Sequence, residues 1–312
     1  MLYRHELESV FAFLGQTELV TALQMSRDWL AAVNSMASLR LEIGQPAAPM
    51  RLVAASTMGR HLAVLGAGHR ALPSFEALSF IARLMPHLRG LFCVINPPPV
   101  SQPLSFPAAL RKLEINQRGP VSAAQLTVTL TAVGRLSQLE SFTIMLPARP
   151  DPRLSFAPLA ALPQLRSLDV SWPEGGSLSD TQLDELRTMP WLQQLSLPVM
   201  TTDPLRRLLR QPHDLQWLSI WLPDELDDET AALLPQLPSL TRINAMVGCE
   251  RFDWLRGLPN LTEVDLAFSE AAGAGGRAES LTAGLQSCKQ IEILRLRYCA
   301  DLTAAHLAEL LP

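Results

Sequence analysis

The residue types that do chemistry are sparse and scattered in this chain. Its six histidines (His5, His61, His69, His87, His213 and His306) never cluster at metal-ligand spacing. Cys93, Cys249, Cys288 and Cys299 are too few and too far apart for a disulfide framework. Gly66-Ala-Gly68-His69 pairs two glycines without the strand-to-helix context of a phosphate-binding loop. The nucleotide-binding, metalloprotease and serine-hydrolase motifs are absent. The expectation is a non-enzyme: no catalytic residue, no cofactor, no metal. What remains is the chemistry of binding, carried by tryptophan, tyrosine and arginine, the residue types that dominate energy at protein interfaces. The elements that position them decide which of them can reach a partner.

Those elements are repeats. The chain has 312 residues and 58 leucines, and from residue 88 onward a segment apolar at its first, fourth and sixth positions recurs nine times. The segments are Leu88–Cys93, Leu110–Ile115, Leu139–Ile144, Leu165–Val170, Leu192–Leu197, Leu215–Ile220, Leu240–Ala245, Leu261–Leu266 and Ile291–Leu296, with starts 21 to 30 residues apart. That is the strand pattern and period of leucine-rich repeats. Leu39–Ile43 and Phe75–Phe80 look like degenerate versions of the same strand. Helices are expected between strands at Ser179–Leu186, Asp203–Leu209 and Asp227–Leu234, each opened by a residue that can cap free backbone N–H groups. Pro163, Pro190, Pro212, Pro238 and Pro259 each precede a strand and end the helix before it.

The expected fold class is α/β, a right-handed leucine-rich-repeat solenoid with parallel strands on its concave face. Alternate side chains of a strand point to opposite sides, so the variable positions of each repeat face outward. These positions supply the candidate partner-binding residues Trp217 and Trp221, Arg242, Glu263 and Asp265, then Arg295, Arg297 and Tyr298. Trp172, just past an earlier strand, joins them. Cys93 and Cys299, within or beside repeat strands, are expected to be buried as small hydrophobes. The chain stops at Leu311-Pro312 without a polar capping unit, so truncation or oligomerisation is expected there.

Composition narrows the partner. Net charge is −4, and Lys112 and Lys289 are the only lysines. That balance does not suit nucleic acid, which requires a clustered basic face. No run of about 18 apolar residues suggests a membrane span. A protein partner in a reducing compartment, cytoplasm or nucleus, is the expectation.

The first 36 residues follow another pattern. Leu7, Val10, Phe11 and Leu14 line one helical face; Leu19 and Leu23 begin a second helix, and Ser26 can cap a third carrying Trp29 and Val33. The Val10-Phe11-Ala12-Phe13-Leu14 helix, the Glu18-Leu19 step and Ser26-Arg27-Asp28-Trp29 together resemble an F-box. Tyr3-Arg4 stands where that family usually has Leu-Pro. The layout resembles F-box/leucine-rich-repeat proteins, the substrate receptors of SCF ubiquitin ligases. The resemblance implies a three-helix module over residues 1–36 ahead of a repeat domain over residues 37–312. It also implies a Skp-type adaptor and a cullin scaffold as partners, with Leu7, Val10, Phe11, Leu14 and Trp29 forming or supporting the adaptor-binding surface and an unknown substrate protein on the repeats. The alternative left open is a structural or assembly protein whose F-box-like segment only caps the array.

Overall fold

The computed structural model describes residues 39–43, 62–67, 78, 82–83, 85–95, 100, 104–117, 120–147, 154–172, 178–197, 202–210, 214–220, 227–247, 251–268, 277–298 and 302–308. The F-box-like segment, and with it Leu7, Val10, Phe11, Leu14 and Trp29, lies outside the described residues, as do Trp221 and Cys299. Two compact units divide the chain, one of residues 1–150 with 161–165, the other of 151–160 with 166–312.

The first unit carries β1 (Leu39–Ile43), β2 (Leu62–Ala67), β3 (Gly90–Ile95), β4 (Lys112–Gln117), α1 (Ala123–Val133) and β5 (Ser141–Met145). Its strands pair in chain order, all parallel. The second unit carries α2 (Ala157–Ala160), β6 (Ser167–Ser171), α3 (Asp180–Arg187), β7 (Gln194–Leu197), α4 (Thr202–Leu209) and β8 (Trp217–Ile220). It continues with α5 (Asp228–Ala231), β9 (Arg242–Val247), β10 (Glu263–Phe268), α6 (Arg277–Gln286), β11 (Ile293–Arg297) and α7 (Ala304–Ala308). From β6 to β11 every neighbouring pair is again parallel and in chain order.

Each of the nine sequence repeats becomes a strand beginning two residues after its first apolar position. The register aligns equivalent positions, so Leu168, Leu195, Leu218, Ile243, Val264 and Leu294 lie side by side. Five of these six are at most 1 % exposed; the sixth, Leu294 on the edge strand, is 37 % exposed. The turns are equally regular. Leu165, Leu192, Leu240 and Leu261 each donate a backbone N–H to the carbonyl three residues earlier, closing a β-turn with proline at its second position. Proline's fixed φ suits that position, so it shapes the entry to the strand as well as stopping the preceding helix. One carbonyl per repeat then accepts two successive N–H groups of the next: Gln193 from Gln216 and Trp217, Gln216 from Thr241 and Arg242, Thr241 from Thr262 and Glu263.

Two expectations are corrected. Leu39–Ile43 is β1, but within Phe75–Phe80 the one described residue, Leu78, is helical, as are Ala82 and Arg83, and Leu62–Ala67 supplies β2. Leu78 is buried, and an apolar residue in so short a run fits a helix as well as a strand. The helix expected over Asp227–Leu234 is α only to Ala231; a 3-10 turn, Leu234–Gln236, follows. Pro235 offers no N–H and its ring crowds the carbonyl of Ala231, which ends the α-helix. The helix over Ser179–Leu186 forms as expected, with Ser179 and Gln182 making a reciprocal capping box.

The helical layer is tied by polar contacts between successive repeats. Arg206 of α4 meets Asp203 at 3.2 Å, Asp227 at 2.7 Å and Glu229 at 3.3 Å. Asp227 also caps α5 through the Thr230 N–H at 2.7 Å. Burial pushes the Asp227 carboxyl up, but the Thr230 hydrogen bonds and the Arg206 guanidinium outweigh it and leave it below the usual carboxylate range. A carboxyl depressed in the fold adds stability above its unfolded pKa and loses it as pH falls through the folded value. Asp227→Ala should therefore cost about 1 kcal/mol in urea unfolding at neutral pH, and the gap from wild type should narrow below about pH 4, where the unfolded carboxyl protonates.

Candidate partner-binding face

Alternation along β6–β11 turns one set of side chains into the apolar layer and the other outward. Two outward rows cross the second unit. The first runs Ser167, Gln194, Trp217, Arg242, Glu263, Ile293; the second runs Asp169, Ser196, Ser219, Asn244, Asp265, Arg295. Trp217 and Arg242 are direct register neighbours on β8 and β9. Trp217 is half-buried and Arg242 exposed.

The charges at the end of this face are paired with each other. Arg295 meets Glu263, and Arg297 meets Asp265, with Arg295 a further 4.0 Å from Asp265. Asp265 has only 7 % of its side chain exposed, and its Oδ1 is buried without a hydrogen-bond partner among the described residues. Tyr298 is 74 % exposed at the end of β11 and takes a left-handed φ of 60°, uncommon for a residue with a side chain. Trp172 is not on this face. It is 7 % exposed because it continues the parity of Leu168 and Val170, two and four residues before it, into the apolar layer. Its indole N–H finds no acceptor among the described residues.

Asp169 was not singled out in the sequence, although its position between Leu168 and Val170 marks it as outward. Burial raises its carboxyl pKa, and the Ser196 hydroxyl pulls it part of the way back. No ion pair reaches it among the described residues. In the first unit the corresponding face holds Phe92 with the Lys112 ammonium 5.2 Å from its ring centre.

Burial, with Glu114 adding a like-signed field, pushes the Cys93 thiol up to about 12. Burial also raises Cys288. No group of three or more His, Cys, Asp or Glu among the described residues is placed to hold a metal ion. No helix among them is long and apolar enough to cross a membrane.

Parallel strands in chain order on a Leu-x-x-Leu-x-Leu frame define a leucine-rich-repeat fold, and an outward face of mixed aromatic and charged residues is its candidate site. No known sequence family and no curated relative matches the chain. Among solved structures it is similar to internalin C2 of Listeria monocytogenes (16% identity, 86% of this chain and 83% of that one, TM-score 0.33). It is also similar to the Rad7 and Elc1 complex of yeast (17% identity, 90% and 84% covered, TM-score 0.49). A Bacteroides fragilis protein aligns at 15% identity over 80% and 81%, with a TM-score of 0.47. The fold itself rests on this chain's own strand order and register.

Two outcomes follow from these positions. A maleimide at neutral pH should leave Cys93 and Cys288 unlabelled in the folded chain and label both after unfolding, read by peptide mass spectrometry. Leu218→Ala should cost about 2–5 kcal/mol in chemical unfolding, whereas its outward neighbour Trp217→Ala should cost about 1 kcal/mol.

Proposed function

We propose that this chain is a non-catalytic binding protein that holds a partner protein against the outward face of its second unit. The observation that carries this reading is the adjacency of Trp217 and Arg242 in register on β8 and β9. Trp217 is half-buried and Arg242 exposed, and neither side chain has a hydrogen bond or ion pair within the described residues. Aromatic and arginine side chains placed together are the usual anchors of protein interfaces.

Within this reading, the resemblance of Glu6–Trp29 to an F-box supports a more specific role. The chain is the substrate-recognition subunit of an SCF-type ubiquitin ligase, engaging a Skp-type adaptor through Leu7, Val10, Phe11, Leu14 and Trp29 and reaching a cullin scaffold through that adaptor. Tyr3-Arg4 in place of Leu-Pro favours a second reading, in which the segment caps the array of a structural or assembly protein.

The test is co-purification of the intact chain with a Skp-type adaptor. Receptor function predicts a complex that survives gel filtration and is lost in a Val10→Asp/Phe11→Asp variant that still unfolds cooperatively. Failure of the wild-type chain to bind the adaptor rejects the receptor role and leaves the assembly reading.

A further inference from the structure

The outward face sorts its own charges into two classes. Toward β11 they are ion-paired with each other: Glu263 with Arg295, and Asp265 through its Oδ2 with Arg297. Two charges are left over among the described residues. Arg242 on β9 has Glu263 as its register neighbour, but Glu263 is engaged by Arg295 on its other side. Asp169 on β6 faces Ser196 and has no cation near it among the described residues. Trp217 stands between these two charges, on β8.

The ground between them is floored by short polar side chains: Ser196, Ser219 and Asn244. Ser219, 4 % exposed, lies too deep to offer its hydroxyl, so the reachable polar groups are those of the half-buried Ser196 and Asn244. Side chains this small leave room for a peptide backbone and offer hydroxyl and amide groups for its N–H and C=O to bond. The flanking charges then set what the incoming side chains must be.

The geometry points to an extended peptide segment of a partner protein that crosses from β6 to β9, presenting a basic side chain to Asp169, an apolar one to Trp217 and an acidic one to Arg242. This inference rests on the reading of the face as a protein-binding surface and specifies the partner's chemistry.

Spacing makes it quantitative. Three inter-strand gaps at about 4.8 Å give about 14 Å across the sheet, and the offset of two residues between the rows adds about 7 Å along the strands. The resulting diagonal of about 16 Å equals four or five residues of extended chain at about 3.3 Å each. A basic and an acidic residue four or five positions apart, with an apolar residue between, is the expected motif.

Asp169 supplies an independent argument. A carboxylate whose pKa is raised by burial destabilises the fold once it ionises, and this penalty is fully present above its folded pKa. Such a residue lowers stability in the free protein and is relieved by a cation in the complex. Asp169→Asn should therefore leave the unfolding midpoint at neutral pH unchanged or higher while weakening the partner.

The experiment is selection of a phage-displayed random dodecapeptide library on the intact chain, with binding of the enriched peptides then measured by fluorescence anisotropy. Expected are peptides with Lys or Arg four or five residues from Asp or Glu, weakened about tenfold or more by Asp169→Asn, by Arg242→Glu and by Trp217→Ala. Exchanging the basic and acidic residues of a peptide should restore its binding to an Asp169→Lys/Arg242→Glu double variant. Peptides weakened by Trp217→Ala but indifferent to Asp169→Asn and Arg242→Glu would overturn this motif and leave the face as a binding surface. Peptides indifferent to all three variants, or no enrichment at all, would overturn the motif and count against the face itself.

Discussion

The structure depends on one constraint: a single repeat of this chain cannot bury its own leucines. A strand of four to six residues with one apolar face has too little surface to stand alone, so each repeat is completed by the next. The parallel register makes this possible, because it sets Leu168, Leu195, Leu218, Ile243 and Val264 edge to edge and at most 1 % exposed. Backbone pairing, proline turns and the shared carbonyls of Gln193, Gln216 and Thr241 all serve the same stacking. Where the helical layer thins to the 3-10 turns Leu234–Gln236 and Asp253–Gly257, contact is kept by close approach. A Cβ on Gly257 would lie 2.5 Å from the Pro235 ring, and one on Gly284 would lie 2.6 Å from the Phe252 carbonyl.

That constraint explains what was legible in the sequence. A ladder that must bury the same positions in every repeat writes a strict pattern, and all nine strands could be placed from it. The proline before four of the described strands was equally visible, though its place inside a β-turn depended on the turn geometry. Legibility fell where the pattern fits two periods. Phe75–Phe80 satisfies a strand template, yet Leu78 within it is helical. It fell again where parity was ignored: Trp172 was grouped with outward residues although it shares the parity of Val170.

The face was legible in position but not in electrostatic state. Sequence alternation placed Glu263, Asp265, Arg295 and Arg297 outward, but it could not say that they would close on one another. Pairing depends on side chains from strands whose register pairs, Asp265 with Arg295 and Ala267 with Arg297, lie about thirty positions apart in the chain. Asp169 escaped notice for the opposite reason. A lone aspartate between two core residues looks like an ordinary solvated position, and only its burial beside Ser196 gives it an energetic meaning.

Asp169 and Asp265 occupy the same row of the same face, and their difference shows how an array tolerates charge. In a stack whose stability is approximately a sum of nearest-neighbour terms, the cost of a partly buried carboxylate falls on the repeats that touch it. At β10 the following strand meets that cost with two arginines. At β6 the following strand offers only the Ser196 hydroxyl, so the β6–β7 step carries an unrelieved charge. A ligand that neutralises Asp169 and also contacts β8 and β9 would stabilise that step and tie four successive repeats together. Because binding only the folded form raises its stability by mass action, protection of the β6–β9 amides from hydrogen exchange would rise on binding even at backbone groups the ligand never touches.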